Sequence, residues 1–197
     1  MKKKHRSRAT RRARRSRTHA SAHSAHRNSR ASHREHKEEA PRRIGCMVIT
    51  CSDTRTPDTD TSGQLIMRLL KESGHDVAAY HLVKDEPGQI RALIESVSNH
   101  DGVQAVIING GTGIARRDST FEAVDALLEK RLDGFGELFR YLTYQDIGSP
   151  AIMSRATAGL FRGRVVISIP GSEGAVRLAM KKLILPELGH ILQQINK

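Results

Sequence analysis

The sequence predicts an α/β domain whose mostly parallel sheet is covered on both faces, and two observations predict it. From Ile44 onward, apolar runs of strand length alternate with stretches of helical spacing. Every Leu, Ile, Val and aromatic residue of the 197-residue chain also lies after Arg43, so the core must be built from residues 44–197. Ile44–Cys51 is the first apolar run and reads as a buried strand. Ser52–Gly63 is Ser, Thr, Asp and Pro with almost nothing apolar, and reads as an exposed loop. Gln64–Ser73 sets Leu65, Ile66, Leu69 and Leu70 at helical spacing, with Gly74 as the stop. The cycle then repeats: Val77–Val83 as strand, Lys84–Pro87 as loop, and Gly88–Val97 as a helix with Ile90, Leu93, Ile94 and Val97 on one face. A third strand, Ala105–Ile108, runs into Asn109-Gly-Gly-Thr-Gly113. Helical patterns cover Thr120–Arg131 and Phe135–Gln145. Val165–Ile169 is a fourth buried strand, closed by Pro170-Gly-Ser172, and a last helix from Glu173 is interrupted by Pro186.

Charge divides the chain at the same place. Residues 1–43 hold 16 Lys or Arg, 6 His and 3 acids, which leaves 17 basic and 18 acidic residues in 44–197. The arm thus carries +13 and the rest −1, so the formal +12 originates in the arm, which has no apolar stripe and is expected to be disordered. Such an arm is either a solvated tail or an electrostatic clamp on nucleic acid or another polyanion, the latter weakening steeply with salt. It lacks the apolar stretch of a secretory signal and the amphipathic stripe of a transit helix. No run approaches the roughly 18 apolar residues of a membrane span. Cys46 and Cys51 share one apolar run without metal spacing and read as buried hydrophobes in a reducing, cytoplasmic setting. His75, His81, His100 and His190 are scattered without the spacing of zinc ligands.

Ligands of parallel sheets sit outside the carboxyl ends of the strands, which directs attention to the loops 52–63, 84–88, 109–118 and 170–174. The third is the sharpest. Its glycines allow positive φ and let backbone N–H groups face an anion, Thr112 adds a hydroxyl, and Arg116 and Arg117 add charge. The plain alternative is a tight turn between strand and helix; neither a dinucleotide nor a Walker spacing is present. Asp118 precedes Ser119 and Thr120, where it could cap a helix, and Asp85 could be a turn residue ahead of Pro87. At one sheet edge beside a phosphate loop, the same two carboxylates are what Mg²⁺ would need.

Ser52–Gln64, Gly110–Asp118, Gly134-Phe-Gly-Glu-Leu-Phe-Arg140, Ser154-Arg155 and Pro170-Gly-Ser172, in that order, resemble the molybdenum-cofactor biosynthesis family of the B protein and the molybdopterin adenylyltransferases. The resemblance spans essentially all of 44–197. It implies a three-layer molybdopterin-binding domain, assembled as a homotrimer or homohexamer. It also implies Mg²⁺-dependent transfer of adenylate from ATP to the terminal phosphate of molybdopterin, releasing pyrophosphate. By that resemblance Asp85 and Asp118 are the catalytic and metal-binding aspartates, Gly110, Gly111, Thr112 and Gly113 line the phosphates, and Ser154 contacts the pterin. Glu137 is a further candidate, with a helix-start acid as its plain role. Two other readings stand beside this one. One is a paralogue of the B protein that binds pterin or nucleotide without turnover. The other is an oligomer acting on nucleic acid or another polyanion through its arm; other proteins of the cofactor pathway are further expected partners of the family reading.

Overall fold

In a computed structural model that describes residues 41–197, the alternation predicted from the sequence is present, with an antiparallel extension the sequence reading lacks. β1 is Gly45–Cys51, α1 Thr61–Glu72, β2 Asp76–Val83, α2 Pro87–Ser96, β3 Ala105–Asn109 and α3 Thr120–Asp125. There follow β4 Lys130–Arg131, α4 Asp133–Ile147, a 3₁₀ turn Ser149–Met153, β5 Thr157–Phe161 and β6 Arg164–Ile169. The chain ends in α5 Glu173–Ala179, a wide π turn Met180–Ile184 and α6 Leu185–Ile195. The expectations for the arm fall on residues outside those described, apart from its last three. Of these, Arg43 donates to Asp76 through Nε at 2.6 Å and Nη2 at 2.9 Å, tying the entry of the chain to the start of β2.

The six strands run in the order β2-β1-β3-β6-β5-β4. β2, β1, β3 and β6 are mutually parallel, whereas β5 and β4 join antiparallel beyond β6. Strand alternation sends Cys46 and Val48 into one apolar cluster and Met47, Ile49 and Cys51 into another. The first cluster is covered by α1, α4, α5 and α6, the second by α2 and α3, which makes three layers. Register places Thr50 opposite Asn109 and Asn109 opposite Ile169, so the loops leaving β1, β3 and β6 emerge side by side. No helix among the described residues is long and apolar enough to cross a membrane.

Two elements differ from the sequence expectations. The helix expected over 120–131 ends at Asp125, because the Glu129 N–H is drawn to the Leu160 carbonyl and Lys130–Arg131 pair with β5. The β5–β6 hairpin was not expected; it turns on Arg162 and Gly163, with φ of +46° and +72°. As expected, the helix from Glu173 is interrupted at Pro186: α5 and α6 are parted by the turn Met180–Ile184 just ahead of it. The preceding turn widens, Leu185 N–H donating to the Met180 carbonyl, and Pro186 enters α6 in its first turn, where its missing N–H is harmless.

Candidate active site at the carboxyl edge of the sheet

The ends of β1, β3 and β6 meet around a cavity of about 500 Å³. From β1 come Thr50, Cys51 and the loop beyond it. Asp60, fully buried, opens α1 by accepting from the Gly63 N–H at 2.9 Å, and it also accepts from Tyr80 Oη at 2.7 Å and Arg55 Nη1 at 3.2 Å. Burial alone would raise this carboxyl; its hydrogen bonds outweigh that and hold it below the ordinary carboxylate range. Arg55 spans the cavity rim, its other nitrogen donating to the Gly171 carbonyl at 3.3 Å, while Ser62 Oγ donates to the same carbonyl at 2.7 Å. The loops after β1 and β6 are thereby fixed to each other.

The glycine loop is the floor. Asn109, fully buried, donates through Nδ2 to Thr50 Oγ1 at 2.8 Å and to the Ile49 carbonyl at 3.3 Å, and its Oδ1 has no donor. Gly110 has φ +98°, and a Cβ there would stand 2.1 Å from the Cys51 carbonyl oxygen. Gly111 has φ +59°, and a Cβ would stand 2.2 Å from both Asp85 Oδ2 and Thr120 Oγ1. Only glycine permits these approaches. Among the described residues the N–H groups of Gly111, Thr112, Gly113 and Ile114 find no acceptor. They constitute an uncommitted set of donors where an anion was expected.

The two aspartates differ in position. Asp118 lines the cavity, its Oδ2 accepting from the Ala115 N–H at 2.9 Å. It does not cap α3: Ser119 holds that position, and its N–H goes at 3.4 Å to Asp85 Oδ1. Asp85, 7% exposed, lies behind Gly111 rather than in the cavity lining, and also accepts from Ser119 Oγ at 3.2 Å and Thr120 Oγ1 at 3.0 Å. The loop thus has one carboxylate on its cavity side and one behind. No group of three or more His, Cys, Asp or Glu gathers as a metal cluster among the described residues.

Thr112, Gly113 and Ser154 line the same cavity, with Ser154 arriving from the end of the 3₁₀ turn. Glu137 is exposed on α4 and is not brought to it. Arg117, expected to serve an anion, instead pairs with Asp53 at 3.0 Å and Glu86 at 2.9 Å, and its guanidinium holds the Asp53 carboxyl below its usual range. Four contributors were not singled out from sequence: Arg55, Asp60, Asn109 and Arg155. Arg155 stood in the Ser-Arg pair, Asn109 opens the glycine motif, and Arg55 and Asp60 lie in the Ser52–Gln64 motif that carries the family resemblance, within a polar loop ahead of a helix.

A family model described as "Probable molybdopterin binding domain" matches residues 47–190. The chain belongs to the molybdenum-cofactor biosynthesis family. Molybdenum cofactor biosynthesis protein B of Bacillus cereus is 54% identical over 160 residues, covering 81% of this chain and 95% of that protein. A crystal structure of a molybdenum cofactor biosynthesis protein B superposes with a TM-score of 0.77 at 53% identity, over 80% of this chain and 99% of that one. The tungsten cofactor synthesizing protein MoaB of Pyrococcus furiosus superposes at 0.71 with 38% identity, over 80% and 100% of the two chains. Membership gives the chain a role in molybdenum cofactor biosynthesis, and the cavity lies at the sheet edge where ligands of such folds are expected.

Proposed function

We propose that the chain transfers adenylate from ATP to the terminal phosphate of molybdopterin, releasing pyrophosphate. The observation that carries this reading is the run of uncommitted N–H groups on Gly111, Thr112 and Gly113, which line one cavity with the carboxylate of Asp118. A phosphate oxygen of molybdopterin forms the new bond to the α-phosphorus of ATP as the bond from that phosphorus to the pyrophosphate oxygen breaks. The nucleophile needs little deprotonation, since a phosphate monoester has a second pKa of about 6. What it needs is alignment and relief of charge repulsion, and the glycine loop supplies fixed dipoles for both.

The residues fit Mg²⁺, which takes one or two carboxylates and completes its shell with phosphates and water. Asp118, which lines the cavity and among the described residues has no donor to its Oδ1, would hold the ion, whereas Asp85, behind Gly111, would act through the loop rather than as a ligand. When bound there, Mg²⁺ would neutralise phosphate charge. Ser154, in the same lining, would contact the pterin. A homotrimer or homohexamer is part of the same reading, and a strip of exposed apolar residues on α4 and the 3₁₀ turn supports it: Tyr141, Tyr144, Ile147, Ile152 and Met153.

One observation favours binding without turnover as the second reading. Asp85 is nearly buried and spends an oxygen on Ser119 and Thr120, as a structural carboxylate would. The test is adenylation of molybdopterin by the full chain with ATP and Mg²⁺, following pyrophosphate. Turnover in the wild type and its loss in Asp118→Ala, with binding and fold retained, is the expected result. A folded Asp118→Ala variant of undiminished rate overturns the assignment, and a wild type that binds both substrates without turnover moves the function to the second reading.

A further inference from the structure

Arg155 lies behind the glycine loop, and all of its contacts bear on that loop or on the helix that follows it. Nε donates to the Thr112 carbonyl at 2.9 Å, and Nη2 donates to the Gly113 carbonyl. Nη1 donates to Glu122 Oε1, and the guanidinium stacks over the Phe121 ring at 4.9 Å from its centroid. It is absent from the lining of the cavity. A planar fork with fixed donor directions is what two successive carbonyls and one carboxylate require, and an ammonium could not satisfy all three.

The consequence follows from the planarity of the peptide bond. In a trans peptide the carbonyl and the next residue's N–H point in opposite directions. With the carbonyls of Thr112 and Gly113 held toward Arg155, the N–H groups of Gly113 and Ile114 must point away from it. Both N–H groups are among those left without an acceptor. Without that hold, each peptide could rotate at the cost of glycine's ordinary freedom and aim a carbonyl oxygen at the anion instead. The cation itself is compensated by Glu122, so its contribution is direction rather than charge.

We propose that Arg155 is a positioning residue that sets the polarity of the glycine loop, turning the Gly113 and Ile114 N–H groups toward an anionic phosphate ligand without touching that ligand. This rests on the reading of the loop as a phosphate cradle, and the experiment separates the two. Inorganic pyrophosphate is titrated into the full chain by calorimetry and by amide NMR, in wild type, Arg155→Lys and Glu122→Gln.

The expected result is that Arg155→Lys keeps its melting temperature and oligomeric state but binds pyrophosphate about tenfold or more weakly, as loss of charge-assisted anion donors implies. The Gly113 and Ile114 amide shifts that accompany binding in wild type should vanish in Arg155→Lys. Glu122→Gln, which keeps the cation and its carbonyl contacts, should retain wild-type affinity within about twofold. Should Arg155→Lys not fold, Arg155→Ala supplies the test: free guanidinium at non-denaturing concentration should restore binding and free ammonium should not. Equal affinity of wild type and Arg155→Lys, or rescue by ammonium as well as guanidinium, overturns the positioning role alone. A wild type that binds no pyrophosphate overturns the cradle reading, and this proposal with it.

Discussion

Asp60 shows how much one side chain organises here. It caps α1, receives the Tyr80 hydroxyl and holds Arg55 at the cavity rim, all while fully buried. Burial first, and then the bond to Asp60, push the Tyr80 hydroxyl up to about 12, so it remains a donor across the physiological range. Asp60→Ala removes a cap and leaves buried donors unpaired, and is expected to cost roughly 2–4 kcal/mol in urea unfolding. The sign of its pH dependence follows from a carboxyl held below its ordinary value. Its stabilisation is present above the unfolded-state pKa of about 4 and is lost as the pH falls through the lower folded value. Wild type should therefore lose stability on acidification more steeply than Asp60→Asn, and parallel acid limbs would contradict this. Of the site itself, the glycines and Asp118 were legible because their chemistry is local. Arg155 and Asn109 act on partners 33 or more residues away, a relation that spacing along the chain cannot encode.

At the scale of elements, β1, β3 and β6 were legible because each is an apolar run buried on both faces, and the half-exposed edge strand β2 because Val77–Val83 is apolar enough to stand out between two polar loops. The antiparallel pair was not. β5 reads Thr-Ala-Gly-Leu-Phe, whose first three residues are too small to announce a strand, and its Gly159 is required because a Cβ would stand 2.3 Å from the Lys130 carbonyl oxygen. The hairpin turn uses Arg-Gly where Asn-Gly would have been recognisable, and Arg162 accepts a positive φ that it would ordinarily avoid. Leu127 and Leu128 continue the period of α3 in sequence, yet they pack under β5 after the helix has ended. Apolar period records that a residue is buried, not which element carries it. The π turn ahead of Pro186 illustrates the converse: a residue that forbids a regular helix is accommodated by widening the turn before it, which no local rule would have preferred.

For the whole molecule, the exposed apolar strip bears on assembly. Ile152 is 86% exposed and Tyr144 62%, beside one another at the end of α4 and the 3₁₀ turn that follows. The double substitution Tyr144→Glu and Ile152→Glu is expected to lower the oligomeric state in sedimentation velocity without unfolding the sheet, since neither side chain belongs to the core. An unchanged sedimentation coefficient would place any interface elsewhere. β1, an interior strand of the sheet, also carries a means of watching the molecule open. Cys46 and Cys51 sit at the two ends of β1, both buried, and burial pushes both thiols up to about 12. At neutral pH neither is a thiolate, so iodoacetamide can react only through opened states, and the alkylation rate of each becomes a clock for its own end of the strand. Cys51 borders the cavity, whereas Cys46 is packed in the core and absent from the cavity lining. Cys51 should be labelled first if the cavity end breathes independently, and pyrophosphate should slow it towards the rate of Cys46, whereas identical rates would mean that the sheet opens as one unit.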